Sequence, residues 1–345
     1  MELGISMFGD LSMDPKTGQF QSSQQRLNEI IEEIKLMDEL GLDYFGIGEH
    51  HRPDYAVSSP EILLAAAATV TKNIKLGSAV TVLSSADPVK VYQNFAMIDS
   101  LSNGRAEIMA GRGSFIESFP LFGYDLSDYE GLFVEKLDLL LEINKQERIT
   151  WKGRYRAPLN DQQVLPRAVG KSLPIWLAVG GTPASVVRAG RLGLPLMLAI
   201  IGGSPRQFKP LVDLYRNEYQ SAGHDPANMK VGIHSHAFFG EDGNEMSNKY
   251  YPLYADQMNR IGRTRGWPPF QRSQFEAGKT REGALFIGEP DAMVDKIHYV
   301  QEMFGLDRYA AHMDVGGPSH LDMMKSIEVY GTKIAPKVKE ALRNK

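Results

Sequence analysis

The chain has 345 residues, a formal net charge of -4 from 38 basic and 42 acidic side chains, and no cysteine. That balance argues against nucleic acid or an anionic membrane as the main partner, and the missing thiols exclude disulfides, thiolate zinc sites and a cysteine nucleophile. No uninterrupted apolar run reaches the roughly 18 residues of a spanning helix, and the N-terminal MELGISMFGD has no basic segment before an apolar core, so the expectation is a cytoplasmic protein.

Short apolar runs alternate with amphipathic segments. Leu3 to Phe8 reads as a first strand, and Ser22 or Ser23 caps a helix with Leu27, Ile30, Ile31, Ile34 and Met37 at helical spacing. Gly41 closes that helix, and LDYFGIGEHH from Leu42 to His51 follows. It is an apolar strand that breaks off in a carboxylate and two histidines. A continuous apolar strand is buried on both faces, so the polar tail belongs at the C-terminal edge of a parallel sheet, where such proteins keep their sites. Pro60 opens a second helix, Ile74 to Leu83 reads as strand three, Pro88 starts a helix through Leu101, and Ala106 to Ala110 is strand four.

A helix with Phe133, Leu137, Leu140 and Leu141 on one face precedes a small hairpin from Ile149 to Leu165. Strands five, six and seven are Pro174 to Ala178, Leu194 to Ile201 and Lys230 to Phe239, each followed by a helix or a glycine-marked turn. From 241 to 283 the pattern loosens into mixed aromatics and arginines, which reads as an insertion after strand seven and not as a core layer. A helix begins at Gly288-Glu289-Pro290, strand eight is Arg308 to Val315, and a last helical region starts near His320. Eight strands each leading to a helix predict a single (β/α)8 TIM barrel over residues 1–345.

Three strand ends carry unusual side chains. Glu49-His50-His51 could be a loop pair that caps or packs; at the end of a barrel strand it faces the pocket, and a neutral histidine there serves as donor, acceptor or general base. Glycines flank Arg112 after strand four, which suits a guanidinium fork on a phosphate, although an ordinary structural ion pair uses the same residue. Ala178-Val179-Gly180-Gly181-Thr182 leads into a helix whose free N–H groups would receive an anion; the plain alternative is a glycine-rich turn. His234-Ser235-His236 has the look of a metal motif but reads better as a core or pocket-lining pair, and Gly46-Ile47-Gly48 lacks the rest of a dinucleotide fingerprint.

The blocks GEHH, GSAVTVLSSADPVKVYQNFAMIDSLSNGRAEIMAGRGS, WLAVGGTPASVVRAGRLGLPLML and GEPDAMVDKI resemble, in order and spacing, the bacterial-luciferase-like flavin monooxygenases. The resemblance spans almost the whole chain and is weakest over 241–283. It implies a usually dimeric (β/α)8 barrel with FMN, or in one branch a deazaflavin, at the C-terminal face. It places the active-site histidine at His50, the phosphate arginine at Arg112, and the phosphate loop at Val179, Gly180, Gly181 and Thr182. A non-proline cis peptide at Ala79–Val80 would lie under the ring with Thr81 beside it, Ile200 would border the ring, and Glu49, His51 and Ser114 would line the substrate pocket. Luciferases have a Glu-Ser pair where Gly180 and Gly181 stand and a reactive cysteine at the place of Gly111.

The implied function is monooxygenation of a small organic substrate with reduced FMN and O₂ through a C4a-peroxyflavin, the FMN supplied by a separate reductase. The alternatives are a deazaflavin-dependent hydride transferase, a flavin-binding protein without turnover and, more remotely, a metal-dependent hydrolase.

Overall fold

A computed structural model describes residues 1–14, 16–113 and 115–344. Eight parallel strands close into a ring: β1 Glu2–Met7, β2 Tyr44–Ile47, β3 Lys75–Ser78, β4 Ala106–Gly111, β5 Ile175–Val179, β6 Leu196–Ala199, β7 Val231–Phe239 and β8 Arg308–His312. Neighbours pair in sequence order, and β8 returns to β1 with Glu2 opposite Arg308 and Ser6 opposite His312. This is the predicted barrel, with helices outside and strand C-termini at one mouth.

Local sequence sets the elements. Ser22 is the cap of helix Ser23–Glu39, accepting from the Gln25 amide at 3.2 Å. Asp87 caps Pro88–Ser102 through the amides of Val89 and Lys90, and Asn103 ends that helix in the left-handed region at φ 59°. The expected strand Ile74 to Leu83 is interrupted: β3 stops at Ser78, the Ala79–Val80 peptide is cis, and Thr81–Val82 pairs with the end of β4.

The barrel interior is filled by unequal side chains. Tyr44 occupies space that glycines vacate, since a Cβ on Gly77 would fall 2.9 Å from its ring and one on Gly4 2.7 Å from its Cβ. At the N-terminal end Arg308 lies between the rings of Tyr44 and Trp176, at 4.1 and 4.4 Å, and binds Glu107 with both guanidinium arms at 2.7 and 3.0 Å. Above it Ala79, Met109, Met197 and Ala310 form an apolar layer, so the barrel is plugged below and open above.

The stretch 241–283, expected as an insertion after strand seven, is helical. It contains the 23-residue helix Gly243–Arg265, capped by Asp242, and the short helix Arg272–Lys279. The long helix presses Tyr250 onto Phe238 of β7 with rings 4.5 Å apart and 7° from parallel, and the Tyr250 hydroxyl donates to the Val315 carbonyl at 3.0 Å. Its buried residues are Ser247, Tyr250, Tyr254, Ala255, Gln257 and Gly262, with Pro252 mid-helix, a set without large aliphatic side chains that dilutes the apolar periodicity marking a core helix. A three-residue strand, Phe286–Gly288, also extends the sheet beside β7 and was absent from the sequence reading. Among the described residues no helix is long and apolar enough to cross a membrane.

Candidate active site

Two cavities open at the C-terminal mouth and meet at Phe8. The first, of about 300 Å³, has walls from Ala79, Val80, Met109, Ala178, Val179 and Met197, with Glu49, His50 and His234 at one end and Arg112, Gly180 and Thr182 at the other. A Cβ on Gly180 would meet nothing within 4 Å, whereas one on Gly111 would strike the Val80 methyls at 2.8 and 2.9 Å. Glycine at 111 therefore lets the Val80 side chain sit against β4, while Gly180 borders open space at the Arg112 end.

That end is built from three elements. Arg112, just past β4, donates to Glu130 Oε2 at 2.6 Å and to Ser185 Oγ at 2.9 Å. Arg188, one turn beyond Ser185 on helix Pro183–Arg191, donates to Glu130 Oε1 at 2.6 Å, and its Nη1 is buried without a partner. Two guanidiniums therefore converge on one carboxylate beside the start of helix Pro183–Arg191, an arrangement whose chemistry suits an anion. Thr182 is the N-cap, although its side chain makes no capping bond. The sequence reading missed Ser185 and Arg188; their spacing of three on the helix after the anion loop was the available signal.

At the opposite end His50 is held by aromatic contacts. Its ring stacks on Tyr55 at 4.3 Å and meets Phe8 edge-on at 4.4 Å and Phe115 at 5.3 Å, and its amide donates to the Val57 carbonyl at 2.9 Å. Nε2 is buried with no partner. Burial, aided by His51 and Arg52, pushes its pKa down to about 3, so the imidazole is neutral.

Glu49 lies in the first cavity and ties two loops together, pairing with His51 Nε2 at 2.9 Å and accepting from the Val82 amide at 3.0 Å. His51 turns away against Phe122 at 5.2 Å and borders neither large cavity. Thr81, Gly181 and Ile200 also stand outside the lining of both, and Ser114 lies outside the described residues.

The histidines of β7 and β8 form a buried cluster around Phe8. The Ser6 hydroxyl lies 3.0 Å from His234 Nδ1 and 3.4 Å from His312 Nδ1, and the Tyr254 hydroxyl lies 2.9 Å from His236 Nδ1. Desolvation lowers the pKa of His234 to about 4 and of His236 to about 3. Asp314 accepts from the amides of Phe8, Gly9 and Asp10 at 3.0, 2.8 and 3.1 Å and so fixes the turn that presents Phe8.

The second cavity, of about 400 Å³ and mainly apolar, is walled by Tyr55, Phe115, Tyr254 and Phe270, with Met258 and Ile261 from the long helix. Arg52 crosses the gap beside it, donating to Asp54 at 3.2 Å and to Glu117 at 3.0 Å under the Phe115 ring.

Comparison with known proteins agrees with this architecture. The model of the family described as luciferase-like monooxygenase matches residues 1–307. A 4-hydroxyprotoasukamycin monooxygenase from Streptomyces nodosus subsp. asukaensis is 25% identical, the match covering 90% of this chain and 87% of that one. The fold is shared with a monooxygenase from Streptomyces bottropensis, at TM-score 0.84 and 23% identity over 97% of this chain and 99% of the other. It is also shared with the FMN-bound oxygenating constituent of 3,6-diketocamphane monooxygenase from Pseudomonas putida, at TM-score 0.76 and 20% identity over 98% and 99%. With its closed barrel and a family match that takes in seven of the eight strands, this chain belongs to the luciferase-like monooxygenase family.

Proposed function

We propose that the first cavity binds FMN and that the protein is a flavin-dependent monooxygenase acting on a small organic substrate. The observation that carries this reading is the single anion position shared by Arg112 and Arg188 at one end of a slot with apolar side walls and Glu49, His50 and His234 at its other end. Reduced FMN, once bound, supplies the activation of O₂; the protein's residues do the rest.

Arg112, Arg188 and the Ser185 hydroxyl would hold the phosphate, which would take the place of the Glu130 carboxylate between the two guanidiniums. Ala79, Val80, Met109 and Met197 face the ring system and keep water from it. His50, with Nε2 free of partners and its ring clamped by Tyr55 and Phe8, offers a neutral nitrogen that accepts or donates one proton at the reacting end of the slot. A reductase encoded separately delivers the reduced cofactor, because the chain carries no dinucleotide fingerprint of its own. A homodimer in the cytoplasm completes the proposal.

The test is titration of the purified protein with oxidised and photoreduced FMN and, in parallel, with a deazaflavin cofactor. The reading expects reduced FMN to bind and to consume O₂. Binding of the deazaflavin alone would replace it with hydride transfer.

A further inference from the structure

The second cavity shares Phe8 with the proposed flavin slot but has a different chemistry. Its walls are flat and apolar: Tyr55, Phe115, Tyr254 and Phe270 surround it, and the Phe115–Tyr55 and Tyr254–Phe270 ring pairs are 6.1 and 5.4 Å apart. Its buried floor is polar. Asp10 is 3% exposed, and its Oδ2 takes the Gly316 amide at 2.9 Å while Oδ1 has no partner. His312 is fully buried, and its Nε2 has no hydrogen-bond partner, with Asp314 Oδ1 3.6 Å away. A buried polar atom left without a partner is destabilising; a ligand atom that pairs with it recovers that cost on binding.

We propose that this chamber takes a neutral, ring-bearing, largely apolar organic molecule that presents a carbonyl or hydroxyl oxygen to Asp10 and His312. The proposal names the substrate class for the flavin reading above, and rests on that reading for the reaction but not for the binding.

Charge argues for a neutral ligand. Burial and the neighbouring Asp314 raise the Asp10 pKa, and burial lowers that of His312, so at both groups of the floor burial disfavours the charged form. A carboxylate seated there would lose its water without gaining a cation. The cation of this cavity, Arg265, is at the exposed rim, with its guanidinium over the Phe115 and Trp267 rings at 5.7 and 5.2 Å. Position argues for a substrate, because the floor adjoins the reacting end of the slot. Phe8 touches His312 at 4.1 Å and His50 at 4.4 Å, and Tyr55 both lines the chamber and stacks on His50. An oxygen held by Asp10 and His312 therefore places its carbon skeleton beside the flavin slot.

The experiment is equilibrium dialysis of the full chain against 2-acetylnaphthalene, its oxygen-free isostere 2-isopropenylnaphthalene, and the anion 2-naphthoate. The ketone is expected to bind about tenfold tighter than either, a margin of the size that one satisfied buried partner gives. Asp10→Leu should remove the preference for the ketone over the hydrocarbon, and Ile261→Trp, which fills the chamber, should abolish ketone binding. FMN affinity, measured on the same variants, should stay within about twofold, since neither residue borders the first cavity. Naphthoate binding as tightly as the ketone, or ketone binding that survives Ile261→Trp, would overturn the proposal. A wild-type protein that binds FMN but not the ketone would also overturn it. One that binds the ketone but no flavin would instead overturn the flavin reading and leave the chamber assignment standing.

Discussion

Arg112 and Arg188 meet on one carboxylate: each donates to a different oxygen of Glu130, both at 2.6 Å. Glu130 is half-exposed and its pKa is lowered by the two arginines against a desolvation that raises it. It is thus an internal anion at the position proposed for phosphate. Exposed pairs of this kind are worth about 0.2–1 kcal/mol each, little enough for a dianion to displace.

Replacing Glu130 with glutamine removes that competitor while keeping its shape. FMN should bind up to about fivefold tighter to Glu130→Gln, corresponding to about 1 kcal/mol. Fluorescence titration measures it, and weaker binding would mean that Glu130 organises the arginines for the phosphate.

His50 should affect chemistry more than binding. His50→Gln is expected to lower O₂ consumption with reduced FMN by about 10²-fold while flavin affinity changes little. Because His50 stays neutral down to about pH 3, the activity profile should show no His50 limb near neutrality. A limb near pH 6.5 that disappears in His50→Gln would contradict the assignment.

The histidine cluster makes a stability prediction. His234 has a folded pKa near 4 against about 6.5 unfolded, so between those values the unfolded chain binds the extra proton. The stability associated with the neutral ring is complete above pH 6.5 and is lost as pH falls toward 4. His234→Asn should flatten the fall of unfolding free energy across that window by up to about 1.4 kcal/mol per pH unit. Urea unfolding at pH 7 and pH 5 reads the difference, and parallel curves would refute it.

At the other end of the barrel, Arg308 is 1% exposed and bidentate on buried Glu107. Arg308→Met leaves that carboxylate with only Lys75, 3.7 Å away, and should destabilise the fold by about 3 kcal/mol. Adding Glu107→Gln should recover part of the loss, and a double variant no better than the single would place the cost in the lost Tyr44 and Trp176 contacts.

Much of the barrel was legible because strands buried on both faces stand out as apolar runs between helices, as at Tyr44–Ile47 and Ile175–Val179. The helix Gly243–Arg265 was not, since it buries Tyr250, Tyr254 and Gln257 in place of aliphatic residues. At the site, GEHH and the glycines around Arg112 announced themselves by where strands end. Arg188, Asp10 and Phe8 did not: each is ordinary in sequence and gains meaning only from partners far along the chain, Glu130 for Arg188, Gly316 for Asp10 and His312 for Phe8. His51 adjoins His50 in sequence yet turns onto Phe122, a side-chain choice that sequence spacing does not encode.

The most direct test of the account is the affinity of FMN relative to riboflavin, which lacks the phosphate, in the wild type and in Arg112→Ala. The account predicts that the wild type favours FMN, that the substitution weakens FMN binding about tenfold or more, and that riboflavin binding is unaffected. An FMN-to-riboflavin ratio unchanged by Arg112→Ala would contradict the anion position at the centre of the proposed site.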